Sequence, residues 1–115
     1  GIAVALAERG ANVVLAARRT ELLQQVAAEA QAAGGQALVV TTDVARPEEV
    51  ARLAEAAEAR FGRVDVWINN AGVGALGRFD EVPLADHVRI VDVNLNGVLY
   101  GSHEALRRFR RQGHG

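Results

Sequence analysis

Cysteine, lysine and methionine are all missing from this chain of 115 residues. Without cysteine there are no disulfides and no thiolate metal sites, which fits a cytoplasmic protein. The 13 basic residues are all arginine. That excludes a Walker-type phosphate loop, a Schiff-base lysine and any catalytic lysine from these residues. The lack of methionine makes Gly1 an unnatural start, so the chain reads as a processed product or a fragment. Its apolar runs are short and broken by charge, so no membrane span is expected, and no signal-peptide pattern opens it.

Charge of one sign is not in excess either, with 14 acidic residues against the 13 arginines. Only Arg107, Arg108, Arg110 and Arg111 cluster. They fall at the end of a helical pattern, where cations complement the helix dipole, and a nucleic-acid partner is not expected. His87, His103 and His114 lack metal-ligand spacing, so no metal site is expected and surface positions suit them. What is present in quantity is apolar residues, at 50%, enough for the core of one domain.

The chain alternates two periodicities. Residues 2–9 read as helix, closed by Gly10 in a left-handed conformation. NVVLAA, residues 12–17, is a short apolar strand. Thr20 is placed to cap a second helix, whose apolar face is Leu22, Leu23, Val26, Ala27 and Ala30 and whose stop is Gly34-Gly35. A β-branched run from Gln36 towards Asp43 predicts the next strand. Pro47 suits a helix's first turn, and Val50, Leu53, Ala54, Ala57 and Phe61 keep helical spacing up to Gly62. Residues 64–68 predict a third strand. A glycine-rich loop, 72–83, then leads into a long helical pattern, 84–111, interrupted near residues 94–97.

Strands alternating with helices of this length predict a doubly wound α/β domain with a parallel sheet covered on both faces. Ligands in such sheets sit at the carboxyl ends of the strands. Arg18 and Arg19 follow the first strand; they suit the 2′-phosphate of NADP, through paired charge-assisted bonds, or are solvated loop charges. Asp43 follows the second, where its carboxylate can accept from an adenine amino group or cap the next helix. The third is followed by Asn69-Asn70-Ala71-Gly72. An amide can bond a ribose hydroxyl and a neighbouring backbone together, and Ala71 and Gly72 leave no bulk between backbone and ligand.

GIA at the head of a helix, LAARR, DV, NNAG after an apolar strand and DVNLNG occur in register across essentially the whole chain. This pattern resembles the short-chain dehydrogenase/reductase family. The resemblance implies a Rossmann-like topology over residues 1–115, here a partial dinucleotide-binding domain lacking its first strand and its C-terminal strands. It implies NADP as cofactor, NAD being second choice, and a small-molecule carbonyl or alcohol as substrate. Gly1 and Ile2 resemble the end of the phosphate-binding turn. Arg18, and Arg19 with it, resemble the 2′-phosphate contact. Asp43 and Val44 resemble the adenine contacts, and Asn69, Ala71 and Gly72 the contacts on the nicotinamide side. Asn94 resembles the active-site asparagine of a proton relay. The loop 73–82 is expected to shape substrate choice, with Leu76 and Phe79 lining an apolar pocket. The helix 84–111 resembles one that packs against a partner subunit, implying a homo-oligomer.

The chain departs from the family at the catalytic pair. The family's tyrosine acid precedes a lysine by four residues, the lysine charge lowering the tyrosine pKa. The one tyrosine here, Tyr100, is followed four residues on by Glu104, and the one serine is Ser102. Neither matches the family's motif, which is expected further downstream, and Tyr100 reads as a helix residue that packs or meets a partner subunit. Three readings follow. The first is the cofactor-binding portion of an NADP(H)-dependent oxidoreductase, inactive by itself. The second is a non-catalytic NADP(H)-binding or sensing module. The third, a receiver-type signalling domain with Asp43 as phosphoacceptor, is disfavoured by amides and arginines where acidic residues and a lysine are needed. In the strand order 3-2-1-4 the absent first strand belongs between the first and third visible strands. Its absence predicts two unpaired edges in mid-sheet and a poorly folded isolated chain.

Overall fold

A computed structural model describes residues 1–115. The short helix α1 (Ile2–Ala7) leads into strand β1 (Val13–Ala17), helix α2 (Thr20–Ala32) and strand β2 (Ala37–Thr41). Helix α3 (Pro47–Phe61) follows, then a long loop. A final helical rod comprises α4 (Leu84–Val91), a π-helical turn (Asp92–Asn96) and α5 (Gly97–Gln112).

β1 and β2 form a two-stranded parallel sheet in which Val13 faces Ala37 and Ala17 faces Thr41. A parallel pair requires a crossover, and α2 supplies it. Val13 and Leu15 bury one face against Ala7 of α1 and Ala27 and Ala30 of α2. α3 packs on β2 from the other face and against α5. Its buried stripe of Val50, Leu53, Ala54 and Ala57 is the spacing read from the sequence. The layered α/β architecture is therefore the expected one, and it is incomplete. Helix ends are set by glycine as expected: Gly10, Gly34 and Gly62 have φ of 83°, 105° and 82°. No helix is long and apolar enough to cross a membrane.

The third strand is the main departure. Residues 64–68 run without strand pairing, and Val66 and Ile68 are 69% and 49% exposed. Strand structure needs a hydrogen-bonding neighbour, and β1 is paired on one edge only, by β2. With no strand between β1 and residues 64–68, the apolar run has nothing to pair with. What holds it is side chains: Gln112 bonds both the N–H and the C=O of Val64, at 2.9 and 2.7 Å.

Two smaller expectations also change. Thr20 does not cap α2; Arg19 occupies the N-cap, and the Thr20 hydroxyl bonds that of Thr41 at 2.7 Å. The arginine cluster does more than complement a dipole. Arg108 is buried and bonds Glu58 of α3 at 3.0 Å and also Glu104, while Arg111 bonds Glu58 at 2.6 Å. Burial pushes the Glu58 carboxyl up, but Arg111 and Arg108 together outweigh it and hold it below its ordinary value. The ion pairs lock α5 onto α3, with Glu58 as the shared anion.

Candidate functional site

A groove of about 1160 Å³ runs along the carboxyl ends of the strands and down between β1 and residues 64–68. It exceeds the roughly 300–1,000 Å³ of an ordinary small-molecule site because the unpaired edge of β1 opens into it. Gly1, Ile2, Arg18, Arg19, Asp43, Val44, Asn69, Ala71 and Gly72 all line it. Four separate stretches of sequence thus converge on one concave surface. Asn94 does not line it, but bonds directly to Val73, which does.

The end of β1 presents cations. Arg18 and Arg19 are both exposed, and neither takes part in an ion pair or a side-chain hydrogen bond. The Arg18 charge is close enough to Asp43 to help lower its pKa. An unpaired guanidinium keeps its whole donor fork for a ligand.

The end of β2 is tightly held. The Asp43 N–H donates to Glu49 Oε2 at 2.6 Å, and the Ala45 N–H donates to Asp43 Oδ1 at 3.1 Å. Arg89, from α4, grips the same carboxylate with both terminal nitrogens, at 3.1 Å to Oδ2 and 3.0 Å to Oδ1. These Arg89 bonds are the main cause holding the carboxyl below its ordinary value; partial burial opposes them, and Ala45 and Arg18 reinforce them. α3 is capped by Arg46, so Asp43 is not its cap. Nor does Asp43 suit a phosphoacceptor, since both oxygens are engaged by a cation.

The third edge depends on α5. Asn69 accepts from Trp67 Nε1 at 2.9 Å and donates to Ser102 Oγ at 3.1 Å. One N–H of its amide remains uncommitted. The approach is possible because Gly101 has no side chain: a Cβ there would fall on Asn69 Oδ1. One turn earlier, a Cβ on Gly97 would meet Val44 Cγ2 at 2.9 Å. Glycine in a helix interior costs roughly 1 kcal/mol relative to alanine. Here the cost is offset by seating the second and third strand ends on one helix face. Asn94 closes the arrangement, accepting the Val73 N–H at 2.9 Å and donating to the Val73 C=O at 2.8 Å.

Leu76 and Phe79 do not line the groove. Leu76 is fully exposed, and Phe79 stacks on His87 with ring centroids 4.2 Å apart. His87 of α4 also bonds the Phe79 carbonyl at 3.0 Å, so the loop is held against the last helical rod and away from the groove. Arg89, Glu49, Ser102 and the two helix glycines were not evident as site residues. Their partners lie as much as 46 residues away in sequence for Arg89 and Asp43, and 53 for Gly97 and Val44. The local signal that could have found them is the four-residue spacing of Gly97 and Gly101 inside a helix.

A parallel α/β layer with a ligand-sized groove at its strand ends, and arginines where a ribose phosphate would lie, fits the dinucleotide-binding class of folds. The comparisons with known proteins narrow this. The family model for short chain dehydrogenase matches residues 1–115, and the chain belongs to that family of NAD(P)-dependent oxidoreductases. It is 40% identical over 107 residues to the uncharacterized oxidoreductase YxnA of Bacillus subtilis, covering 93% of this chain and 30% of that protein. Among solved structures it is similar to an alcohol dehydrogenase from the archaeon Thermococcus sibiricus complexed with 5-hydroxy-NADP. The TM-score is 0.88 at 32% identity, over 99% of this chain and 50% of that one. It is similar also to an NAD+-bound xylitol dehydrogenase, with a TM-score of 0.92 at 28% identity over 98% and 44%. The chain thus spans half or less of the length of these relatives.

Proposed function

We infer that the groove binds NADP(H) and that the protein is an oxidoreductase interconverting a carbonyl and an alcohol. The observation that carries the cofactor choice is the pair of unpaired guanidiniums at the end of β1. A 2′-phosphate is the ligand group that such a pair best satisfies. NAD, with a neutral 2′-hydroxyl, leaves both forks without a partner.

The remaining residues fit the same cofactor. Nothing lies within 4 Å of a Cβ built on Gly1, and only Asn94 Oδ1, at 3.6 Å, lies near one on Gly72. Both backbones are therefore open to close approach. Asp43 and Val44 take the adenine end; Asn69, Ala71 and Gly72 take the nicotinamide end. A bound nicotinamide supplies or accepts the hydride. Val73 engages Asn94 Oδ1 and one N–H of its amide, so the groups left to hold water in a proton relay are the second N–H and nearby backbone groups. The π-helical turn around it disturbs the ordinary ladder and frees such groups to hold water. The second reading, a sensing module, turns on whether the complete gene carries a tyrosine with a lysine four residues later; Tyr100, followed by Glu104, is a helix residue and not that pair.

An apolar stripe along the last helical rod supports a homo-oligomer. Leu84, Val88, Val91, Leu95 and Leu99 lie along it, and all are between 49% and 76% exposed.

The test is a comparison of NADPH and NADH affinity in the protein expressed from its complete gene. Arg18→Ala with Arg19→Ala should weaken NADPH about 10- to 100-fold, the range for losing hydrogen bonds to a charged group, and leave NADH little changed. Unchanged NADPH binding in the double variant would overturn the assignment. Turnover of a carbonyl panel separates the enzyme from the sensor.

A further inference from the structure

Asp43 offers a ligand less than its carboxylate suggests. An ionised carboxylate has about four acceptor positions. Ala45 and one nitrogen of Arg89 take the two on Oδ1, and the other nitrogen of Arg89 takes one on Oδ2. One acceptor position remains, on a side chain that lines the groove and is 20% exposed.

We propose that Arg89 is a positioning residue for base recognition: its clamp on Asp43 leaves a single fixed acceptor, which selects a base bearing an exocyclic amino group over one bearing a carbonyl there. This rests on the NADP(H) reading above, and it assigns to a residue of α4 the discrimination between adenine-type and hypoxanthine- or guanine-type nucleotides. An amino group donates to the remaining lone pair. A carbonyl oxygen in the same place brings acceptor against acceptor.

The clamp acts on the side chain rather than on the fold of the strand end. The Asp43 backbone is fixed separately by Glu49 at 2.6 Å, so loss of Arg89 leaves the main chain anchored. It frees the carboxylate to rotate. A carboxylate that can swing away no longer holds an acceptor against a carbonyl on the base, and the discrimination falls. Arg18, the other cation near Asp43, is exposed and makes no bond to the carboxylate, so it does not replace the clamp.

The experiment measures binding of NADPH and of its analogue with hypoxanthine in place of adenine. It uses the protein expressed from its complete gene, as wild type, Arg89→Gln and Arg89→Lys. Wild type should prefer NADPH about tenfold or more, the lower end for a hydrogen bond to a charged acceptor. In Arg89→Gln the ratio should fall to within about threefold, with Arg89→Lys, which keeps one bond, between the two. A lost packing contact alone would weaken both nucleotides equally and leave the ratio unmoved. If wild type binds NADPH without preference, or Arg89→Gln keeps the wild-type ratio, the positioning role is overturned while the cofactor reading stands. If wild type binds neither nucleotide, both fall. Should Arg89→Gln fail to fold, Arg89→Lys decides, and a wild-type ratio there overturns the proposal.

Discussion

Asn94 holds Val73 by both of its backbone groups, at 2.9 Å from the N–H and 2.8 Å to the C=O. The side chain thereby imitates a neighbouring strand for one residue, at the point where the loop leaves the groove. Because Asn94 sits in the π-helical turn, the register of the last helical rod fixes where that loop begins. Asn94→Ala should raise hydrogen exchange at the Val73 amide about tenfold, corresponding to roughly 1.4 kcal/mol of lost local protection. Asn94→Asp keeps the acceptor and sets a carboxylate against the Val73 carbonyl, so it should not restore the carbonyl's partner. Unchanged exchange at Val73 in the alanine variant would show that the loop is held by something else.

The glycine pair on α5 gives an ordered prediction. Replacing a helical glycine by alanine gains up to about 1 kcal/mol of propensity, while forcing a methyl into a packed contact costs about 1–3 kcal/mol. At Gly97 the nearest atom is a methyl of Val44, 2.9 Å from the new Cβ, which a rotamer change can move, while Val44 Cβ and its carbonyl oxygen, at 3.3 and 3.4 Å, need give only a few tenths of an ångström. At Gly101 the obstacle is the Asn69 amide, already committed to Trp67 and Ser102. Gly101→Ala should therefore be the more destabilising, by about 1–3 kcal/mol net in urea unfolding of the protein from its complete gene, and Gly97→Ala close to neutral. The reverse order would mean that the amide anchor is weaker than its geometry suggests.

These residues show where sequence reading succeeds and where it stops. Helices and strands with their own periodicity and their own glycine stops, such as α3 between Pro47 and Gly62, were legible because every determinant is local. Residues 64–68 have strand composition but no strand pairing, because pairing belongs to a neighbour and not to the segment. The strand-end residues were legible because the fold class says where ligands bind. What orients them was not: Arg89 on Asp43, Ser102 on Asn69 and Val73 on Asn94 are meetings of distant segments. Thr20 fails for the same reason, its hydroxyl finding Thr41 rather than its own helix.

Acid should loosen the fold through two carboxylates. Asp43 and Glu58 both have folded pKa values below their ordinary ones. A carboxylate with a depressed folded pKa contributes stability above its unfolded value, and that contribution is lost as pH falls through the folded one. The urea midpoint should therefore be insensitive to these groups above about pH 5 and decline below about pH 4. Arg89→Gln removes the main cause at Asp43 and should flatten part of that decline, whereas Arg111→Gln should flatten the part due to Glu58. An identical acid slope in both variants and wild type would remove these ion pairs as its source.

Residues 1–115 expressed alone should fold poorly. β1 has one paired edge, residues 64–68 have none, and Val66 and Ile68 stand 69% and 49% exposed beside the open groove. Parallel sheets are stable when both faces and both edges of their inner strands are covered, and only 15 of the 115 residues here are buried. The isolated chain should bind a hydrophobic dye, melt over a broad range and show no rise in midpoint with NADPH. A ligand that binds the folded state a hundredfold above its Kd raises stability by about 2.7 kcal/mol. A sharp melt moved upward by NADPH would therefore be easy to see, and it would show that the groove is organised without a strand between β1 and residues 64–68.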